Sequence, residues 1–487
     1  MIAPSEPILF QLVRSLSKTE RSQLARYLDC PLHNGQVLPR ALFKAIRNQQ
    51  PDTPEKRKRL YRKLRPDGVY DARQQARDFD TLARLVEKFL VWRETESQPE
   101  LHLQLLQRSL ARRGVSGRFE RVSSELEKKL QSSPHGAARH LQLHLSADER
   151  LSHFHTVVPD EKVKYFRACT QALDRFYLHK RLLIECELAN LTDIYREKKL
   201  PDLPYLTDAL IELLPVLDTE PQIAYLHQIL RQLHQPGTPG GMVYLQTHRT
   251  AFFERLDPRE ARFVTLLLIK VALREYLRLR SPDTLQFMLA LYEEALRRAY
   301  LLVDGRISTV SYFNILLLIL ESKDNARADQ FVARYAPMLD ATTQENSAFL
   351  AKAYLAFAEG HYADAERYLL QYSRINKPLV MQAYRLELQT LYERWQTDPE
   401  AFPRLRNRLR AYRAWLNDDR PDRPHALRVN RDKQLLGIFQ QLISVQRQPD
   451  EELAKNLLRD IRSQPQLPLF NWLVEKAAHL IKIDVNQ

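Results

Sequence analysis

Apolar residues recur along this chain with a helical period from its first segments onward. Ser17-Lys18-Thr19-Glu20 spells a capping box, in which the serine hydroxyl accepts from the third helical amide and the glutamate reaches back to the cap. Leu24, Tyr27 and Leu28 then supply one apolar face. Leu32 to Pro39 reads as a connection, and Leu42, Phe43 and Ile46 mark a short helix behind it. Thr53-Pro54-Glu55 opens another helix with proline at its first position. That helix carries the stripe Leu60, Tyr61 and Leu64. A long helix is expected over about 71–96, with two more near 99–113 and 118–131 separated by Gly114 and Gly117.

The segment from Asp160 to Lys199 holds the longest pattern. Phe166, Leu173, Tyr177, Ile184, Leu188, Leu191 and Tyr195 fall at helical spacing, which predicts that they form its packed face. Asp160 and Glu161 open it, and Lys198 and Lys199 close it before Pro201, in the order that suits a helix dipole. Such a helix, or a broken pair, would be a spine joining the N-terminal part to the C-terminal part of the chain.

The second half contains an internal repeat. A shift of 37 residues lays Phe313, Leu317 and Leu320 on Leu350, Tyr354 and Phe357, and Ala328, Phe331 and Tyr335 on Ala365, Tyr368 and Tyr372. The first set belongs to the leading helix of a pair, the second to the trailing helix. A small residue at a close-packing position with a large one three places on is how two helices interlock, and a period in this range marks a helical-repeat solenoid. A further pair near 379–395 and 403–417 slips out of that register. The expected fold is all-α, with a basic helical N-terminal domain over 1–157 and an α-solenoid of antiparallel helix pairs over 158–487, its clearest repeat at 312–375.

Residues Ala351–Tyr372, with their alanines and Tyr354, Gly360 and Tyr362 at the turn and then Ala365, resemble a tetratricopeptide repeat carrying about two extra residues before the turn. Three larger blocks keep a common order. They are Leu16-Ser17-Lys18-Thr19-Glu20 with Tyr27, Leu28, Pro31 and Asn34; Leu173 to Leu191; and Leu291 to Ser308 with Phe313-Asn314 and the repeat at Ala351 behind it. Together they are similar to an uncharacterised family of helical-repeat proteins of Bacteroidota. That resemblance implies an α-solenoid and a phylum; it implies no reaction.

Composition agrees with the pattern. Glycine is scarce at 11 residues, against the many tight turns an all-β fold requires. The three cysteines, Cys30, Cys169 and Cys186, are far apart and show no CxxC pairing, so a disulfide framework or a cysteine-rich zinc site is not expected and a reducing cytoplasm is. The opening residues MIAPSEPILFQLVRSL lack the layout of a signal peptide. The longest apolar runs, such as Ile315 to Leu320, fall far short of the ~20 residues of a membrane span.

Charge adds a second theme. The net charge is +14, of which residues 1–150 contribute +10, from 28 Lys and Arg against 18 Asp and Glu. Two basic amphipathic stretches stand out. One is Lys56, Arg57, Lys58, Arg59, Arg62, Lys63 and Arg65; the other is Arg404, Arg406, Arg408, Arg410 and Arg413 around the stripe Leu405, Leu409, Tyr412 and Leu416. Each reads either as a phosphate-contacting surface or as a solvated helix face.

Catalytic signatures are missing from the sequence. The cluster Gly237-Thr238-Pro239-Gly240-Gly241 lacks the Lys-Ser/Thr of a phosphate loop and reads as a linker. Among His135, His140, His144, His153 and His155, only His140 and His144 share a helical face, with Leu-Gln-Leu between them in place of a catalytic glutamate. All five are expected to be ordinary surface histidines, with a zinc or pH-sensitive site as the alternative. Asp418-Asp419 is one acidic pair among many, and Cys169 and Cys186 are expected to be buried structural thiols. Tyr354, Phe357 and Tyr368 are expected in the repeat core. No cofactor and no metal are expected. The expected role is a non-enzymatic, cytoplasmic interaction scaffold or adaptor for another protein or peptide, whose identity the sequence does not give. The alternatives are a nucleic-acid-associated protein using the basic N-terminal third, and an enzyme whose site is assembled from distant residues.

Overall fold

The structure, a computed structural model, describes residues 7–66, 68–153, 159–194, 220–374, 379–418 and 426–483. Among the described residues it contains 22 α-helices and one two-stranded hairpin. The helices are α1 (Ile8–Ser15), α2 (Lys18–Asp29), α3 (Val37–Ile46), α4 (Pro54–Leu64), α5 (Ala72–Ser97), α6 (Pro99–Arg112), α7 (Ser116–Ser132), α8 (Ala137–His153), α9 (Pro159–Ile194), α10 (Pro221–His234), α11 (Gly241–Arg255), α12 (Pro258–Leu279), α13 (Pro282–Arg297), α14 (Thr309–Glu321), α15 (Asn325–Tyr335), α16 (Ala341–Ala358), α17 (Tyr362–Gln371), α18 (Val380–Trp395), α19 (Ala401–Asn417), α20 (Ala426–Arg447), α21 (Glu451–Arg462) and α22 (Phe470–Ile483). The fold is all-α and of the helical-repeat solenoid class. It divides into two compact units, one of residues 1–133 and 138–173, the other of 134–137 and 174–487. The domain boundary expected at 157 lies outside the described residues.

In the first unit, Leu9, Phe10 and Val13 of α1, Leu24 and Leu28 of α2, Leu42, Phe43 and Ile46 of α3, and Phe79, Leu82, Val86 and Phe89 of α5 form one apolar core. The capping box at Ser17 is made in full. Its hydroxyl accepts the Glu20 amide at 3.2 Å, and the Glu20 carboxylate accepts the Ser17 amide at 2.6 Å. Thr53 caps α4 and Asp71 caps α5 through their side-chain oxygens. Gly114 takes a left-handed φ of +67°, which permits the tight turn between α6 and α7.

In the second unit one continuous core runs from Leu178 of α9 to Leu386 of α18, and a second from Val380 of α18 to Leu480 of α22. Consecutive helices pair along this length. The 37-residue register corresponds to the pairs α14–α15 and α16–α17. Phe313, Leu350 and Tyr354, then Ala328, Phe331, Tyr335, Ala365 and Tyr372, are all buried, while Leu317, Leu320, Phe357 and Tyr368 are half-buried against the same core. The register extends to the turns. Lys323 and Gly360, 37 residues apart, both take left-handed conformations, at φ of +61° and +81°. Only the glycine does so without a Cβ penalty.

Helix α9 corrects a sequence expectation. The stripe assigned to its packed face is turned outward: Phe166 is 58% exposed and Tyr177 50%, with Leu173 and Ile184 also exposed. Leu188 is half-buried, and the Leu191 side chain and Tyr195 lie outside the described residues, as do Lys198, Lys199, Pro201 and the side chains of Asp160 and Glu161. The buried face is Ala172, Leu178, Leu182, Cys186 and Ala189, and it takes in His179 and Glu185. Both polar groups have partners there: His179 Nε2 lies 2.8 Å from Glu260, and Glu185 accepts from Arg181 at 2.6 Å. The inner face is mostly apolar, with Leu178, Leu182, Leu183 and Cys186, and it takes in His179 and Glu185 because hydrogen-bonded partners offset the cost of burying them.

Candidate interaction surfaces

Helix α4 is anchored by its apolar stripe. Tyr61 is buried, and Leu60 and Leu64 pack on the core of the first unit. Its cations then divide by what they touch. Lys56 pairs with Asp52 at 2.7 Å, and that hydrogen bond holds the Asp52 carboxyl below its usual value. Arg57 donates to the Pro51 carbonyl at 3.4 Å and lies over the Phe10 ring. Lys58 lies over the Tyr70 ring, and Arg65 donates to both oxygens of Asp78, at 3.2 and 3.1 Å. Arg59, Arg62 and Lys63 are exposed and make no ion pair among the described residues.

The start of α5 is held against this helix. The Gln75 amide donates to the Arg57 carbonyl at 2.6 Å, and Tyr61 and Tyr70 meet edge to face at 5.4 Å. Arg73 and Arg77, one turn apart on α5, are exposed and likewise without an ion pair among the described residues. The sequence pattern does not single them out, because α5 alternates acids and bases and shows no run of one sign.

The second basic stretch sits differently. Leu405, Leu409, Tyr412 and Leu416 of α19 are buried, as the stripe predicted. Arg404 bonds Glu366 of α17 at 2.6 Å and reaches Asp398 at 3.4 Å. Arg394 of α18 also donates to Glu366. Arg408 pairs with the buried Glu387 at 3.1 Å, and Arg374 donates to the same carboxylate. Burial pushes the Glu387 carboxyl upward against the pull of these two guanidinium groups. Arg413 donates to Gln440 at 3.0 Å. Arg406 and Arg410 are exposed with no ion pair among the described residues. Behind the stripe, Arg385 makes two hydrogen bonds to the fully buried Asp432, whose Oδ1 also accepts from Tyr412 at 2.5 Å.

A cavity of about 30 Å³ lies between α17, α18 and α19, lined by Glu366, Glu387, Thr390 and Arg408 among others. That volume fits about one water molecule.

The histidines depart from the expectation of surface residues. His140 is buried, and His144 is half-buried with Nδ1 at 3.2 Å from Cys169 Sγ. His153 is half-buried, with its ring tilted against that of Phe119 at 4.1 Å; His155 lies outside the described residues. Helix packing decides this: the α8 face bearing His140 and His144 also carries Ala137 and Ala147, and it turns inward. Cys186 is fully buried, whereas Cys169 is only half-buried. His135 lies in the short strap 134–137, where its amide and carbonyl bond Arg255 and Asp257 in a bridge to Leu256. A Cβ at Gly136 in this strap would come 2.8 Å from the Asp257 Cβ, so the close approach requires glycine.

Among the described residues no group of three or more His, Cys, Asp or Glu is placed to hold a metal ion, and no helix is long and apolar enough to cross a membrane. Gly237–Gly241 connects α10 to α11, with Gly237 and Gly240 both left-handed. Asp418 is exposed at the end of α19, and Asp419 lies outside the described residues. No protein-family model matches this chain, and neither does any curated protein or solved structure.

Proposed function

We propose that this chain is a non-enzymatic interaction scaffold or adaptor that holds another protein or a peptide on its helical-repeat surface. The observation that carries the reading is the unbroken apolar core from Leu178 to Leu386. Several helices in this stretch, such as α16 and α17, bury one face on their neighbours and leave the other outward, whereas α18 is buried along most of its length. An array of this kind offers a long surface assembled from successive helices, which suits an extended or helical segment of a partner. The unpaired thiols Cys30, Cys169 and Cys186 favour a reducing cytoplasm as its location. Its resemblance to helical-repeat proteins of Bacteroidota and, at Ala351–Tyr372, to a tetratricopeptide repeat points the same way.

Crosslinking in the native cell and subsequent purification should recover one protein partner. That partner should bind the purified chain with an affinity indifferent to salt and to nuclease treatment. Recovery of nucleic acid alone, or loss of the partner on nuclease treatment, would sink the scaffold reading.

A further inference from the structure

We propose that the outward face of α4, with the adjoining turns of α5, contacts the phosphate backbone of duplex nucleic acid without regard to sequence. The surface uses residues other than the helix-pair array, so this inference and the scaffold reading can fail separately.

Uncompensated charge singles out this face. Arg59, Arg62 and Lys63 sit three and four residues apart on α4 and share a side of the helix. All three are exposed and without an ion pair among the described residues, and so are Arg73 and Arg77 on α5. The nearby described acids are mostly committed. Asp52 holds Lys56, Asp78 holds Arg65, and Asp71 caps α5 through its side chain. Glu55, exposed in the first turn of α4, lies one turn before Arg59 but makes no ion pair with it among the described residues, and Asp80, near Arg77, holds Arg84.

The two helices are also fixed to each other. The Gln75 bond to the Arg57 carbonyl, the Arg65–Asp78 pair and the Tyr61–Tyr70 contact join them. Three of the exposed cations thus lie on α4 and two on the first turns of α5 joined to it.

Two missing features select the partner. A helix that lies in a membrane surface needs a free apolar face to insert, but that of α4 is packed inward at Tyr61, Leu60 and Leu64. A single-strand platform needs exposed rings for base stacking. Here Tyr61 and Tyr70 are engaged with each other, with Arg65 and with Lys58. Cations held in place with neither feature suit the evenly charged backbone of a duplex, where contacts position the protein and carry no sequence information.

The test is fluorescence anisotropy of the full chain with a labelled DNA duplex of arbitrary sequence, titrated over a range of salt. Five engaged cations imply a log–log salt slope near −4.5, a loss on the order of 500-fold in affinity between ~50 and ~200 mM salt. Combining Arg59→Ala, Arg62→Ala and Lys63→Ala should make the slope shallower by about 2.7. Because the three side chains are exposed, the variant should keep the parent's circular dichroism spectrum and melting temperature. The charge-preserving pair Arg59→Lys and Arg62→Lys should keep the full slope. The proposal is overturned if the parent has no duplex affinity at low salt, if the triple variant keeps the parent's slope, or if vesicles of anionic phospholipid compete better than the duplex.

Discussion

Helices α4 and α19 look alike on paper: each has an apolar stripe wrapped in arginine and lysine. The structure uses them in opposite ways. On α19 the guanidinium groups of Arg404 and Arg408 close onto Glu366 and Glu387, acids from the two preceding helices, and so tie successive elements of the array together. On α4 the pairs at Lys56 and Arg65 sit toward the two ends, and Arg59, Arg62 and Lys63 between them remain open. The difference lies in the neighbours: Glu366 and Glu387 reach Arg404 and Arg408 of α19, whereas the acids beside α4, Asp52 and Asp78, reach only Lys56 and Arg65. A basic run is thus a statement about partners, and the first candidates are the chain's own acids.

The sharpest way to break this contrast is to attack the structural role of α19. Asp432→Ala leaves Arg385 and the Tyr412 hydroxyl without their buried acceptor. Losing one partner of a buried pair costs about 3–5 kcal/mol. Urea unfolding monitored by circular dichroism should show that loss, and a change below about 1 kcal/mol would mean the cluster is incidental.

Next in size is the α4 triple variant, Arg59→Ala, Arg62→Ala and Lys63→Ala. Its change in salt slope corresponds to about 2 kcal/mol of duplex binding across a fourfold change in salt, with no matching loss of stability.

A subtler test concerns Glu387. Its carboxyl is raised above the ordinary 4.5 by burial, against Arg374 and Arg408. A raised folded value means the native state holds the proton more tightly than the unfolded chain does. The stability from this group is then complete below the unfolded value and is lost as pH rises through the folded one. Glu387→Gln should flatten this part of the pH–stability curve, read as melting temperature against pH. An unaltered slope would place the titration elsewhere.

The smallest effect is expected at the exposed arginines of α19. Combining Arg406→Ala and Arg410→Ala should change stability by less than about 0.5 kcal/mol and leave the duplex salt slope as it was. A shallower slope in this variant would show that binding follows total charge rather than the α4 surface.

Much of the fold could be read in advance. The capping box at Ser17, the proline start of α4, the stripe of α19 and the 37-residue register all rest on contacts within a helix or between adjacent ones. The long helix α9 could not be read this way. Large apolar residues lie on both its faces, so the spacing of Phe166, Leu173, Tyr177 and Ile184 does not tell which side packs, and its inner face holds His179, whose partner Glu260 is 81 residues away. His144 escaped the local pattern for a similar reason, since Cys169 beside it is 25 residues away in the sequence. Of the candidate surface, the basic letters of α4 were visible, whereas Arg73 and Arg77 were hidden among acids on α5.

By itself the sequence determined that the chain is helical, where several of its helices start or stop, and the 37-residue register of the repeat. These properties come from capping chemistry and from the 3.6-residue period, both set by neighbours a few positions away. Tertiary structure decided which face of α9 is buried and which arginines are neutralised. Those outcomes depend on carboxylates and apolar surfaces brought close only by folding, where the cost of burying a charge is set by whether a partner is within hydrogen-bond reach.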